Sequence, residues 1–306
     1  MKIGFALPQV GPFAGPNQIA TAARRAEELG YSGLWVNDRV LWPTAPRAPY
    51  PAAADGALSP EWRTNLDALG TLTFAAAHTS RVTLGTSVLV LPLYDPVLLA
   101  RRLTTLDILS EGRLVAGFGL GWSPDEYEAT GTPWANRAAR MEDALDVIEA
   151  IWKGGSVAHD SAFVTLPESI FDARPVQQPR PRVLLAAYSP AGMARIAARA
   201  DGWTPAGIPI DAMGEMYKGI QQMAGANGRA ASEIDMVVRA NCTILDELPE
   251  QDRFPFVGSL DQIAADAHRA HEVGATEVFF DVQFSLGVDD FTTYLEHMET
   301  LAKLTL

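Results

Sequence analysis

One cysteine, Cys242, serves a chain of 306 residues. No intrachain disulfide can form, so the fold does not depend on an oxidising compartment, and a cysteine-based zinc site is excluded. Basic residues are also scarce: 24 Lys and Arg face 37 Asp and Glu, a formal net charge of -13. An acidic surface repels polyanions, which argues against nucleic acid or an anionic membrane as partner. No apolar run approaches the roughly 20 residues of a membrane helix. The apolar stretch at the N-terminus meets Pro8 and is too short for the core of a signal peptide. The cytoplasm is the expected location. Histidine is sparse, and no Ser-His-Asp order or His-x-His on the first strand stands out, so neither a triad hydrolase nor a metal site is expected. His268 and His271 fall on a predicted outer helix, where surface positions are the simpler reading.

What is present is a globular balance of 48% hydrophobic and 20% charged residues. Short apolar runs alternate with longer helical patterns. The predicted strands are 2–7, 33–36, 82–91, 113–118, 183–187, 201–206, 236–245 and 277–282. The first helical pattern can be capped by Asn17 and is ended by Gly30. Others cover 66–77, 95–109 (with Pro96 at its first position), 135–152, 190–200, 210–226, 260–273 and 289–304. Eight strand-then-helix units argue for a single α/β domain over residues 1–306, a (β/α)8 TIM barrel. A doubly wound dinucleotide fold needs a glycine-rich turn after strand one, and Leu7-Pro8-Gln9-Val10-Gly11-Pro12 lacks it. Two departures from the alternation are expected: a long Pro- and Ala-rich loop after strand two (43–61), and an irregular insertion after the fourth helix (154–178). A loop that long reads as a lid or binding segment.

In such a barrel the chemistry sits at the C-terminal strand ends. There strand two presents Asp38 and Arg39, either a site that orients a polar ligand or a salt bridge tying the lid to the rim. Gly117, Gly119 and Gly121 after strand four let backbone approach a flat ligand, or simply make a tight turn. Ser189 and Pro190 open a helix whose free N–H groups suit a phosphate or ring edge, or merely a cap. Trp42, Tyr50, Trp62 and Trp122 crowd the expected mouth and suit a planar or apolar ligand.

Four segments at strand boundaries carry a resemblance: Gly33-Leu34-Trp35-Val36-Asn37-Asp38; Leu84-Gly85-Thr86-Ser87-Val88-Leu89; Asp107-Ile108-Leu109-Ser110-Glu111-Gly112-Arg113-Leu114 with the Gly117–Gly121 turn; and Ala187-Tyr188-Ser189-Pro190 before Asp201-Gly202-Trp203. Together they resemble the luciferase-like flavin and deazaflavin oxidoreductases, closest to the branch that uses coenzyme F420. The resemblance implies a non-proline cis peptide at Ser87–Val88 behind the deazaflavin ring. It implies cofactor contacts from Asp38, Ser87, Val88, Gly119, Leu120, Gly121, Ala187, Tyr188 and Ser189. It implies a catalytic neighbourhood of Asp38 and Arg39, with Trp42, Tyr50, Trp62 and Trp122 toward the substrate. A homodimer is also implied.

Two positions depart from the sugar-phosphate dehydrogenases of that branch. Arg39 stands where they carry a catalytic His, and Trp122 where they carry a Glu. A guanidinium is a poor general base, so that activity is not expected. The expected function is F420-dependent hydride transfer to or from a medium-sized, partly apolar organic molecule. The rivals are a reduced-FMN monooxygenase, which consumes oxygen and needs a flavin reductase partner, and a non-catalytic flavin-binding protein.

Overall fold

The apolar runs form parallel strands: β1 (Lys2–Ala6), β2 (Gly33–Val36), β3 (Thr83–Thr86), β4 (Leu114–Gly119), β5 (Arg182–Leu185), β6 (Gly202–Trp203), β7 (Asp235–Asn241) and β8 (Glu277–Asp281). Their order is β3-β2-β1-β8-β7-β6-β5-β4, and pairing of β3 with β4 closes a barrel. Around it run α1 (Pro16–Leu29), α2 (Ala68–Ala76), α3 (Pro96–Leu109), α4 (Pro124–Ala129), α5 (Arg137–Lys153), α6 (Pro190–Arg199), α7 (Ile210–Ala226), α8 (Leu260–Glu272) and α9 (Phe291–Leu301). This is the (β/α)8 architecture, seen in a computed structural model that describes residues 1–51, 53, 55–249 and 253–304.

Inside the barrel Trp35, Val115, Leu184, Val237 and Phe279 form one layer, with the Trp35 and Phe279 rings stacked 4.7 Å apart. Glycine makes room for it: a Cβ on Gly85 would lie 2.3 Å from the Trp35 ring. Trp35 Nε1–H donates to Glu277 Oε1 at 2.9 Å, and burial holds the Glu277 carboxyl above the usual carboxylate range. The interior is therefore packed, and only the C-terminal end of the barrel is left to build a site. The larger apolar layer lies between strands and helices.

Helix starts follow local chemistry. Asp95 caps α3 by accepting from the Leu98 N–H, and Ser259 with Gln262 makes a reciprocal capping box on α8. Asn17 does not cap α1. That helix begins at Pro16 with Gly15 in the cap position, because proline's fixed φ already suits the first turn. Gly30 ends α1 in the left-handed region, φ 87°.

Three other expectations change. The insertion is not irregular: 155–160 and 165–171 pair as an antiparallel hairpin. Only Val157 and Leu166 of that hairpin are buried, so no apolar run marked it. The third strand is not continuous to residue 91. It breaks after Thr86 and resumes at Leu89–Val90. The seventh ends at Asn241, and Thr243–Ile244 pairs separately with Val257–Gly258. Ala52 and Ala54 of the loop after β2 lie outside the described residues. Among the described residues no helix is long and apolar enough to cross a membrane.

Candidate active site

The break in β3 is a bulge. Gly85 pairs with Val115 and Leu89 with Phe118, so three residues of β3 oppose two of β4. Within it the Ser87–Val88 peptide is cis. The glycines of β4 and the turn after it accommodate the bulge. A Cβ on Gly117 would sit 1.9 Å from Thr86 O, one on Gly119 2.6 Å from a Val88 methyl, and one on Gly121 2.6 Å from a Val90 methyl. Thr86 Oγ1 also accepts from the Gly117 N–H at 2.8 Å and donates to its carbonyl at 2.9 Å. The glycine run and the bulge are thus one feature.

At the end of β2, Asp38 and Arg39 part company. Asp38 Oδ2 accepts from the Val90 N–H at 3.1 Å and from Tyr94 Oη–H at 2.8 Å, tying β2 to the bulge. Burial pushes the Asp38 carboxyl up to about 6 against the pull of those two bonds. Burial and the adjacent Asp38 push the Tyr94 phenol up as well.

Arg39 is 95% buried as a side chain: its relative exposure is 5%, and that of Glu126 is 3%. Its guanidinium lies 4.8 Å from the Trp122 ring centre and 5.2 Å from that of Trp62, with Nη1 3.6 Å from Glu126 Oε1. Nε and Nη1 are buried with no hydrogen-bond partner. Glu126, on α4, accepts from the Val40 N–H at 2.8 Å. Burial raises its carboxyl pKa, and Arg39 opposes that rise. Asn37 Oδ1 is a third buried atom without a partner at this strand end, although its backbone is held reciprocally by the Gln9 amide.

The aromatic candidates meet in one cluster with Val10, Leu58 and Phe284. Trp62 stacks on Phe284 at 4.8 Å, and Tyr50 leans on Trp122 at 5.3 Å. Trp42 turns toward its own loop: Nε1–H reaches Ser59 O at 3.1 Å, and Arg63 covers the ring at 4.3 Å. Beside the cluster opens a cavity of about 370 Å³ over β7 and β8.

At the end of β5, Ala187 O accepts from Trp203 Nε1–H at 3.0 Å, and Tyr188 Oη exchanges hydrogen bonds with the Ala206 backbone. Ser189 caps α6 by accepting from the Gly192 N–H at 3.2 Å. Leu120 O accepts from Tyr127 Oη–H at 2.6 Å. Among the described residues no group of three or more His, Cys, Asp and Glu is arranged to hold a metal.

Sequence reading missed Glu126, Gln9, Gln283 and above all Arg239. Arg239 Nη2 donates to Asp281 Oδ2 at 2.6 Å, and Nη1 reaches the bulge carbonyl Ser87 O at 3.4 Å. Ser87 Oγ lies 3.3 Å from Thr204 Oγ1. One signal was available: Arg239 interrupts the otherwise apolar run of β7. The motif around Asp107 proves to be scaffolding. Its buried carboxylate accepts from the Val176 and Gln177 N–H groups and from Gln177 Nε2, docking the segment that leaves the hairpin.

The family model for luciferase-like monooxygenases matches residues 2–277. An uncharacterised protein of Mycobacterium tuberculosis is 31% identical over 282 residues, 91% of this chain and 92% of that protein. An F420-dependent glucose-6-phosphate dehydrogenase of Kineococcus radiotolerans is 31% identical over 243 residues, 77% of this chain and 66% of its own length. Among solved structures, the monooxygenase RslO1 of Streptomyces bottropensis superposes with a TM-score of 0.79 at 24% identity, covering 99% of this chain and 98% of the other, a likeness of fold. The barrel, the strand-end site and the family match together define a luciferase-like oxidoreductase. The chain belongs to the luciferase-like monooxygenase family.

Proposed function

We propose that the protein is an oxidoreductase using coenzyme F420, with hydride transfer to or from a medium-sized, partly apolar organic substrate. The observation that carries this reading is the construction of the barrel mouth. Its rim carries a backbone bulge flanked by small residues, aromatic residues cover the neighbouring strand ends, and the half-buried Asp38 joins β2 to the bulge. Identity with a relative named as F420-dependent supports the choice of cofactor.

The residues present suit a flat ring. Ser87, Gly119 and Ala187 offer little side chain, and Asn37 Oδ1 is a buried acceptor without a donor. In this reading Asp38, Ser87, Val88, Gly119, Leu120, Gly121, Ala187, Tyr188 and Ser189 hold the cofactor, which when bound supplies or accepts the hydride. Asp38, with Oδ2 engaged twice and its carboxyl pushed up to about 6, keeps a proton on Oδ1 in mildly acid solution and gives it up as pH rises to neutral. Arg39, pressed between Trp62 and Trp122, steers the substrate by fixing those two rings, while Trp42 and Tyr50 help exclude water. Arg39 and Trp122 replace the acid/base pair that sugar-phosphate oxidation uses, so a different substrate is expected. The setting is cytoplasmic, without nucleic acid or membrane as partner, and the chain pairs as a homodimer.

Side-by-side titration with F420 and FMN, read by fluorescence and calorimetry, tests the reading. Micromolar binding of F420 with none of FMN is the expected result. Preference for FMN overturns it in favour of a reduced-FMN monooxygenase that consumes O2 beside a flavin reductase. The fold likeness to a monooxygenase is the reason for including FMN. Tight binding with no turnover on any reducible substrate would instead indicate a flavin-binding protein.

A further inference from the structure

The cavity over β7 and β8 holds two charged residues among its described lining, Arg239 and Asp281, and they pair with each other. Asp281 is fully engaged. Oδ2 takes Arg239 Nη2 at 2.6 Å, and Oδ1 takes the Gln283 N–H and Nε2, each at 3.1 Å. Gln283 is fixed in turn, its Oε1 accepting from the Gln9 and Val10 N–H groups. Arg239 is held but not saturated. Its Nε is buried with no partner, and its Nη1 contact to Ser87 O is long at 3.4 Å. Around this pair the wall is mainly apolar, with Trp62, Met213, Phe254, Phe256 and Phe284, and it carries Ser59, Asn241 and Thr243 as neutral polar residues.

The charge balance selects the ligand. The one cation is already neutralised, so a carboxylate or phosphate entering the cavity would lose its hydration beside Asp281 without a free counter-charge. A sugar would bring more hydroxyls than the few neutral polar residues of the wall, Ser59, Asn241 and Thr243, can satisfy. A neutral molecule with an apolar body and one accepting oxygen fits both features: the wall buries the body, and Arg239 Nη1, only loosely engaged by Ser87 O, meets the oxygen. Arg239 also touches the carbonyl of the bulge, so the anchored oxygen would stand next to the wall assigned above to the cofactor ring.

We propose that Arg239, held in place by Asp281, is the substrate-anchoring residue, and that the cavity takes a neutral, largely apolar ketone or enone through its carbonyl oxygen, to the exclusion of anions. Calling that molecule a substrate rests on the oxidoreductase reading; the binding site does not.

The test uses three probes of one shape on the full chain: benzylideneacetone (a ketone), cinnamate (an anion) and 3-methyl-1-phenyl-1,3-butadiene (a hydrocarbon with CH2 in place of the carbonyl oxygen). Binding is followed by tryptophan fluorescence and calorimetry. The ketone is expected to bind about tenfold more tightly than either of the others, the range for one hydrogen bond left unmade. Arg239→Met is expected to bring ketone and hydrocarbon to within about twofold of each other while the hydrocarbon affinity stays unchanged. If that variant fails to fold because Asp281 is stranded, the paired change Arg239→Met/Asp281→Leu removes both charges and gives the same readout. Equal or tighter binding of cinnamate, no measurable ketone binding, or a ketone preference that survives loss of Arg239 each overturn the inference. Ketone selectivity without F420 or FMN binding would uphold the anchor and overturn the oxidoreductase reading. Cofactor binding without ketone selectivity would do the reverse.

Discussion

Replacing Glu126 with glutamine removes one negative charge from the buried pair with Arg39 while keeping an oxygen to accept the Val40 N–H. The two side chains are only 5% and 3% exposed and lie 3.6 Å apart, so the arginine has little water to fall back on. Stranding one member of a buried ion pair costs about 3–5 kcal/mol. Arg39 keeps the faces of Trp62 and Trp122, each worth roughly 0.5–2 kcal/mol to a cation, which puts the expected loss near the lower end, about 3 kcal/mol. Urea unfolding at pH 7, followed by tryptophan fluorescence, measures it. The paired variant Arg39→Met/Glu126→Gln carries no stranded cation and should regain most of the loss, giving a coupling well above additivity. A Glu126→Gln protein within about 0.5 kcal/mol of the parent, with no recovery in the double variant, would refute the assignment of Glu126 as the counter-charge of Arg39.

Two further predictions concern the carboxylates of Asp38 and Asp107. Asp38 titrates near 6 in the folded chain against a reference value of 3.8, so the native state binds the extra proton. Its contribution is present below pH about 4 and is lost as pH rises through about 6, a fall of about 3 kcal/mol at ~1.4 kcal/mol per pKa unit. Asp38→Asn keeps an oxygen for Val90 and Tyr94. Its stability should decline less than the parent's between pH 4 and 7, and parallel profiles would count against the burial argument. Asp107→Ala removes the acceptor for the Val176 and Gln177 N–H groups and should cost about 2–4 kcal/mol. Hydrogen exchange at those two amides should accelerate well beyond exchange in the strands, and unchanged protection would show that the carboxylate is dispensable.

How far the sequence could be read depended on the range of the interaction concerned. Barrel strands are mostly buried on both faces and therefore appear as largely apolar runs, broken in β7 by Arg239. Their helices begin at Asp95, Ser189 or Ser259 through bonds made within three residues. Asp38 and Arg39 could be singled out because a strand end is a local feature. The hairpin at 155–171 could not, since only one residue of each of its strands is buried.

The site divides in the same way. Length, scarcity of cysteine and histidine, acidic balance and the succession of eight strand-then-helix units belong to the sequence alone, and the last of these determined the barrel and so the rim on which its strand ends gather. What only the tertiary structure decided is who partners whom there. Asp38 goes to the bulge, Arg39 to Glu126, Arg239 to Asp281, and Gln9 meets Gln283 across 274 residues. Gly117 looked like a turn glycine in the sequence; folded, its hydrogen faces Thr86 O of the neighbouring strand. Such contacts form between residues far apart in the chain, and barrel closure brings them together by placing every strand end on one rim.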